Sequence, residues 1–299
     1  MLLPHARHRS NTTSVPAAAS ATRASMNRRR MAKVARAGRA LASNPRDALE
    51  RALDRRSDRR DRRRTSYEAR EGIEQTVHAR IGRDWPCEER AGFEDVWSDT
   101  VDELASRGLR VGRGTFGEWD DGDVRLAGLA WCLARHLQPE RIVETGVARG
   151  LVTRVLLEAL ARNGRGRLWS IDLPPLLREN VAHESAAAVP EGLRDRWTLL
   201  RGTSRRLLPG LVAELGSIEL FIHDSSHTTR NVRFELEQVW RAVGPGGAVL
   251  IDDVEKNAAT AEFLAAHPGA TCAISPSGDR RVLIGCLTKR SERRPEPAR

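Results

Sequence analysis

The stretch IVETGVARG, residues 142 to 150, places Glu144 and two glycines directly after a short apolar run. A strand end followed by sparsely substituted backbone suits a ligand that the main chain must approach closely. Gly146 and Gly150 permit that approach, and a helix beginning near Leu151 would offer free amides to a carboxylate or phosphate. Glu144 would repel a pyrophosphate and attract a ligand carrying an ammonium or sulfonium charge. Asp172 closes the later apolar run RLWSID, where a carboxylate can accept both hydroxyls of a ribose. The spacing ExGxxxG, with Ala148 where a dinucleotide loop would carry glycine, disfavours NAD binding and an oxidoreductase. The set describes a place for adenosine joined to an amino-acid end. The plainer alternative makes Glu144 a carboxylate that caps a turn.

A second group lies in IELFIHDSSHTTRNVRFELEQVWRAVGPGGAVLIDD. Asp224 ends one expected strand, and Asp252 and Asp253 end the next, so the three carboxylates can converge at one sheet edge. Convergent carboxylates suit a hard divalent cation such as Mg²⁺, which takes oxygen ligands and keeps water. They could equally cap the following segment and brace a loop. His227 has three readings: general base for a substrate hydroxyl, outer ligand, or a loop histidine bonded to a carbonyl. His223 is expected to face the interior.

Positioning these groups requires a particular order of elements. From residue 140 onward, short apolar runs (RIVET, RLWSIDL, WTLLRG, IELFIHD, GAVLIDD, ATCAIS, RRVLIGCLT) alternate with helical segments. Continuously apolar strands separated by helices indicate an α/β, mainly parallel sheet covered on both faces. Pro245, Gly246 and Gly247 read as the turn into GAVLI. Before residue 140, EERAGFEDVWSDTVDELASRGL reads as a helix with Phe93, Val96, Trp97, Val101 and Leu104 near one face, ended by Gly108. DDGDVRLAGLAWCLARHL reads as another, with Trp131 and Cys132 in the core. GRGTFGEWDDGD, holding Trp119, Asp120 and Asp121, reads as a glycine-rich loop, a candidate lid or substrate wall.

On these residues the chain resembles the class I S-adenosylmethionine-dependent methyltransferases, from about Arg141 to Lys289. VETGVARG looks like their first motif, IDLPP like the ribose-binding acidic loop, and RGTSRRLLP like the segment after the third strand. The resemblance implies a Rossmann-like, doubly wound, seven-stranded sheet with an N-terminal helical extension. It assigns Glu144, Gly146, Gly150, Asp172, Thr203, Ser204 and Asp224 to the cofactor. Thr203 departs from the pattern, since many relatives carry Asp there. The second group is similar to the DGDHSY segment of the methyltransferase 24 subgroup, with Asp224 and His227 matching its first Asp and its His, and Ser225 and Ser226 replacing GD. The resemblance thereby implies S-adenosylmethionine as cofactor, a small-molecule acceptor methylated on oxygen, His227 and Asp224 in catalysis, and Asp224, Asp252 and Asp253 as ligands of Mg²⁺.

Composition bounds the alternatives. The 299 residues carry a formal charge of +10, but no acidic residue precedes Asp47, and the ten basic residues before it account for the whole excess. The body is therefore neutral, and a long nucleic-acid track is not expected beyond the basic tail. An RNA or protein methyltransferase recruited by that tail, and a non-catalytic nucleoside-binding domain, are the competing functions. Mixed-sign runs such as DRRSDRRDRRR usually mark a solvated helix face, and MNRRRMAKVARAGRALASNPRDALERALDRRSDRRDRRR is read as charged helix interrupted at Pro45. The expected organisation is a basic tail (1–66), a helical extension (67–139), the cofactor domain (140–289) and a short C-terminal tail (290–299). Cys87, Cys132, Cys272 and Cys286 are far apart, with no CxxC or Cys/His spacing, so neither a zinc site nor a disulfide framework is expected. A cytoplasmic location without membrane contact fits, and a homo-oligomer is compatible. The acid-free leader reads as disordered, with Met26 or Met31 as alternative starts, or as resembling a transit peptide.

Overall fold

The computed structural model describes residue 31 and residues 44–60, 65–117, 119–173 and 179–290. Readings of residues 1–30, 32–43, 61–64 and 291–299 lie outside the described residues.

Seven strands form one sheet: β3 (Arg141–Thr145), β4 (Arg167–Asp172), β5 (Trp197–Arg201), β6 (Ile218–His223), β7 (Val243–Ile251), β8 (Thr271–Pro276) and β9 (Leu283–Thr288). Their spatial order is β5-β4-β3-β6-β7-β9-β8, with β3 to β7 mutually parallel and β9 antiparallel to both neighbours. Alternation along the strands divides the core. Ile142, Leu220, Ile222, Ala248 and Leu250 face one layer, built on helices α4 (Val124–Leu137) and α5 (Leu151–Asn163). Val143, Phe221, Val249 and Ile251 face the other, built on α6 (Ser204–Leu215), α7 (Thr229–Ala242) and α8 (Ala259–Ala266). Successive side chains of a strand point to opposite faces, so a strand apolar at every position needs both layers.

The extension adds α1 (Pro45–Arg60), α2 (Ile73–Arg80), α3 (Arg90–Ser106) and a two-stranded antiparallel ribbon, β1 (Gly112–Phe116) and β2 (Trp119–Asp121). Several expectations are corrected here. Helix α1 begins at Pro45, the position where the sequence predicts an interruption of the charged helix, since its fixed φ and missing N–H suit a first turn. The expected glycine-rich loop is a paired ribbon. On α3, Thr100 takes the buried position assigned to Val101, because its hydroxyl donates to the Val96 carbonyl at 2.6 Å and so needs no water. The Pro245–Gly247 turn is absorbed into the irregular first half of β7, where the register shifts against β6. Trp131, Cys132 and His223 are buried as expected.

The acidic residues of α1 turn toward the domain. Asp47 accepts from the backbone N–H and hydroxyl of Thr203 and from Arg206, while Glu50 and Asp54 accept from Arg230 at 2.5 and 2.9 Å. Among the described residues no helix is long and apolar enough to cross a membrane.

Candidate functional site

Strand register puts the site residues on one edge. Thr145 lies opposite both Ile171 and His223, and His223 lies opposite Ile251, so Gly146, Asp172, Asp224 and Asp252 emerge side by side. The chain turns one way from β3 to β4 and the other way from β6 to β7, which opens a crevice between β3 and β6. The crevice walls touch through their main chains. Gly146 has φ +87°, and a Cβ there would lie 1.9 Å from the Asp224 carbonyl oxygen. Its lack of a side chain is thus dictated first by β6. Gly150, at φ +85°, precedes α5, and Ala148 holds the left-handed conformation at φ +48° where a glycine is more usual.

Glu144 does not reach the open crevice. It is 1% exposed, and its Oε2 accepts from Ser170 at 2.6 Å and from Thr153 at 2.8 Å. Burial lifts its carboxyl to about 7, the two hydroxyls hold it down, and the Asp172 carboxylate adds to the rise. Asp172 itself receives the Val147 N–H at 3.2 Å and pairs with Arg201 at 2.6 Å. Arg51 of α1 donates to the Leu173 carbonyl at 2.7 Å, so α1 reaches the end of β4 just after Asp172. The Thr203 hydroxyl is engaged by Asp47, and the Ser204 hydroxyl lies 3.2 Å from Asn231 Oδ1.

Beyond β6 and β7 the acidic cluster assembles. Asp224, His227 and Asp252 each bring a ligand atom within 4.8 Å of the others. His227 Nε2 is 3.9 Å from Asp224 Oδ1 and 3.2 Å from Asp253 Oδ2, and its Nδ1 is buried without a partner. Asp253 is turned to His227 and Lys256. About a third of the Asp224 side chain meets solvent, yet burial of its carboxyl and the charges of Asp253 and Glu144 raise it well above the usual range. Asp252 is raised by burial and by Asp224 and Asp253. Burial pulls His227 down to about 4, leaving a neutral imidazole at neutral pH.

Three supporting residues had no sequence signal. Glu235, wholly buried on α7, accepts from Thr145 at 2.6 Å, Ser225 at 2.8 Å and Asn231 at 2.9 Å, and meets His223 Nδ1 at 2.7 Å. Burial pulls it up, but the charge of His223 and hydrogen bonds with His223, Ser204 and Thr145 bring it down to about 2. Arg149, 3% exposed, binds Asp121 at 2.8 Å, Glu184 at 2.5 Å and the Arg110 and Thr115 carbonyls. It thereby fastens the β1–β2 ribbon to the loop after β3. Asp47 is the third. Each acts over a long sequence separation, which no local spacing records. Cys87, which no sequence spacing links to another cysteine or a histidine, lies 3.2 Å from both Cys132 and His136, because α2, the following turn and α4 pack together.

The sheet order, with its crevice at the crossover between β3 and β6, is the Rossmann-like fold that methyltransferases adopt. Residues 143–254 match the family model described as a methyltransferase domain, the methyltransferase 24 family. Among solved structures, the O-methyltransferase TomG from Streptomyces achromogenes, involved in tomaymycin synthesis and in complex with S-adenosylmethionine, is similar at 18% identity. That match covers 66% of this chain and 90% of TomG, with a TM-score of 0.50. The O-methyltransferase from Bacillus cereus in complex with S-adenosylhomocysteine is similar at 14% identity, covering 73% and 97% of the two chains, with a TM-score of 0.48. No curated protein matches the chain by sequence.

Proposed function

We propose that the chain binds S-adenosylmethionine at the carboxyl edge of β3 and β4 and methylates a hydroxyl oxygen of a small molecule held beyond β6 and β7. The observation that carries this reading is the placement of Asp224, His227 and Asp252 beside the loop after β3, where Gly146 touches Asp224. The bound cofactor supplies a methyl group activated by a sulfonium charge. Asp172 is the ribose acceptor, and Glu144 acts from beneath through its field. Asp47 brings a carboxylate to Thr203, in the loop that the resemblance assigns to the cofactor.

The acidic cluster fits a divalent cation. Asp252 Oδ1 is buried with no hydrogen-bond partner, and Asp224 and Asp252 crowd each other's charge. Asp224 and Asp252, with Asp253 turned from Lys256, would hold it, and it would supply polarisation of the acceptor hydroxyl. His227, released from Asp253 when that carboxylate turns to the cation, would take the hydroxyl proton at Nε2, and the imidazolium formed would lie beside Asp224. The acceptor oxygen bonds to the methyl carbon as the carbon–sulfur bond breaks and its electron pair returns to sulfur.

Calorimetric titration with S-adenosylmethionine, followed by screening hydroxylated small molecules for release of S-adenosylhomocysteine, tests the reading. His227→Gln should keep cofactor affinity and lose turnover by roughly 10²-fold or more. Absence of binding at millimolar cofactor would overturn it.

A further inference from the structure

A second cluster lies at the other end of the sheet, near the C-terminus of α4, which leads into the start of β3. Cys132 and His136 are four residues apart on α4 and so share a face. The turn before α3 brings Cys87 against both, with Sγ 3.2 Å from Cys132 Sγ and 3.2 Å from His136 Nε2. His78 on α2 completes the group: its ligand atom lies within 4.8 Å of those of Cys87 and His136. Cys87, Cys132 and His78 are 6%, 8% and 0% exposed.

The histidine is the telling member. His78 Nδ1 sits 2.7 Å from the Glu74 carbonyl, which accepts only, so the ring hydrogen is on Nδ1 and Nε2 carries a lone pair. That Nε2 is buried with no hydrogen-bond partner. A buried acceptor left unmatched is costly, and an imidazole that donates through one nitrogen to a backbone carbonyl while offering the other is the arrangement of metal-bound histidines.

We propose that His78, Cys87, Cys132 and His136 form a closed tetrahedral Zn²⁺ site that ties α2 and the turn before α3 to α4. Two thiolates and two imidazoles match the preference of zinc for sulfur and nitrogen. On binding, the two thiols release their protons to solvent, and the thiolate charges balance the ion. Four protein ligands leave no open coordination position, so the site is structural. With Zn–S bonds of about 2.3 Å, tetrahedral geometry separates the sulfurs by about 3.8 Å. The two sulfurs therefore move apart by roughly half an ångström, and Cys132, which touches Cys87 but lies outside the mutual 4.8 Å of His78, Cys87 and His136, turns in to join them. A Cys87–Cys132 disulfide is the competing outcome, and it would leave His78 Nε2 unmatched.

The full-length chain, purified under reducing conditions without chelator, should contain one zinc by elemental mass spectrometry. Replacement by Co²⁺ should give thiolate-to-cobalt charge-transfer absorption and the intense visible bands of a tetrahedral ion. Cys87→Ser and His136→Ala should each lower zinc content at least tenfold, while Asp252→Asn leaves it unchanged, which separates this site from the carboxylate cluster. The proposal falls if wild-type protein carries no zinc and the cobalt form lacks the thiolate band, which decides the matter even if the variants do not fold. It also falls if both variants keep their zinc, or if thiol titration of the unfolded chain finds two free thiols where the sequence has four cysteines.

Discussion

Asp47 accepts hydrogen bonds from the main-chain nitrogen of Thr203 at 3.1 Å and from its hydroxyl at 2.8 Å, across 156 residues of chain. The carboxylate, 6% exposed, fills the capping position that the loop before α6 would otherwise supply itself. Its partners Thr203 and Arg206 hold the carboxyl below the usual range against the opposing effect of burial. Asp47→Ala should cost about 1–3 kcal/mol, read as a shifted urea midpoint, because it strips a charged cap from buried donors. The same variant should weaken S-adenosylmethionine binding measurably; an unchanged dissociation constant would show that α1 has no part in that pocket.

Arg149→Ala should be more severe, at roughly 3–5 kcal/mol, since it leaves Asp121 buried without its cation. Arg149→Lys should recover only part of the loss, because one ammonium cannot replace the forked contacts to Asp121, Glu184 and two carbonyls. Limited proteolysis should then cut the β1–β2 ribbon while the sheet core persists. A ribbon as resistant as in the parent would refute the anchoring role.

Glu144 predicts a pH dependence with a definite sign. Its carboxyl stands at about 7 in the fold against an ordinary 4.5, so between these values the unfolded chain has lost a proton that the folded chain keeps. Stability falls as pH rises from about 4.5 to about 7 and levels off above, by an amount on the order of 3 kcal/mol. Glu144→Gln, whose carbonyl still accepts from Ser170 and Thr153, should remove this slope from denaturation curves taken at pH 5, 6, 7 and 8. Under the proposed function, affinity for the cationic cofactor should rise with pH over the same interval more than affinity for neutral S-adenosylhomocysteine, and the variant should abolish that difference.

Asp252→Asn should raise thermal stability, by about 1–2 kcal/mol, while lowering methyl transfer, since it relieves like-charge crowding with Asp224 and Asp253. Divalent cations should stabilise the parent protein in a concentration-dependent way and leave this variant unaffected. A melting temperature equally responsive to Mg²⁺ in both proteins would place cation binding elsewhere.

The sheet was legible because each strand is apolar at nearly every position and each helix follows at short range. VETGVARG, IDLPP and the HDSSH segment name their own strand ends, and parallel register brings those ends together. What escaped depends on contacts between distant segments. The charge of α1 read as a basic tail, but Asp47, Glu50 and Asp54 settle which way it faces, and their partners Thr203, Arg206 and Arg230 lie 150 or more residues on. Glu144 had the right type for a ligand contact, yet neighbouring Ser170 and Thr153 draw it inward. Cys87 and Cys132 carried no spacing signal because the turn before α3 and helix α4 supply them from separate segments.

The contact between Gly146 and the Asp224 carbonyl fixes a distance that side-chain change at other positions cannot alter. The loop after β3 and the loop after β6 are joined main chain to main chain, so their separation is a property of the scaffold, like the gap of a calliper set once. Under the proposed function, variation in the surrounding helices can reshape the room offered to an acceptor without changing how far its oxygen must travel. Even one methyl group at position 146 would force the jaws apart, and the chemistry should be lost before the fold is.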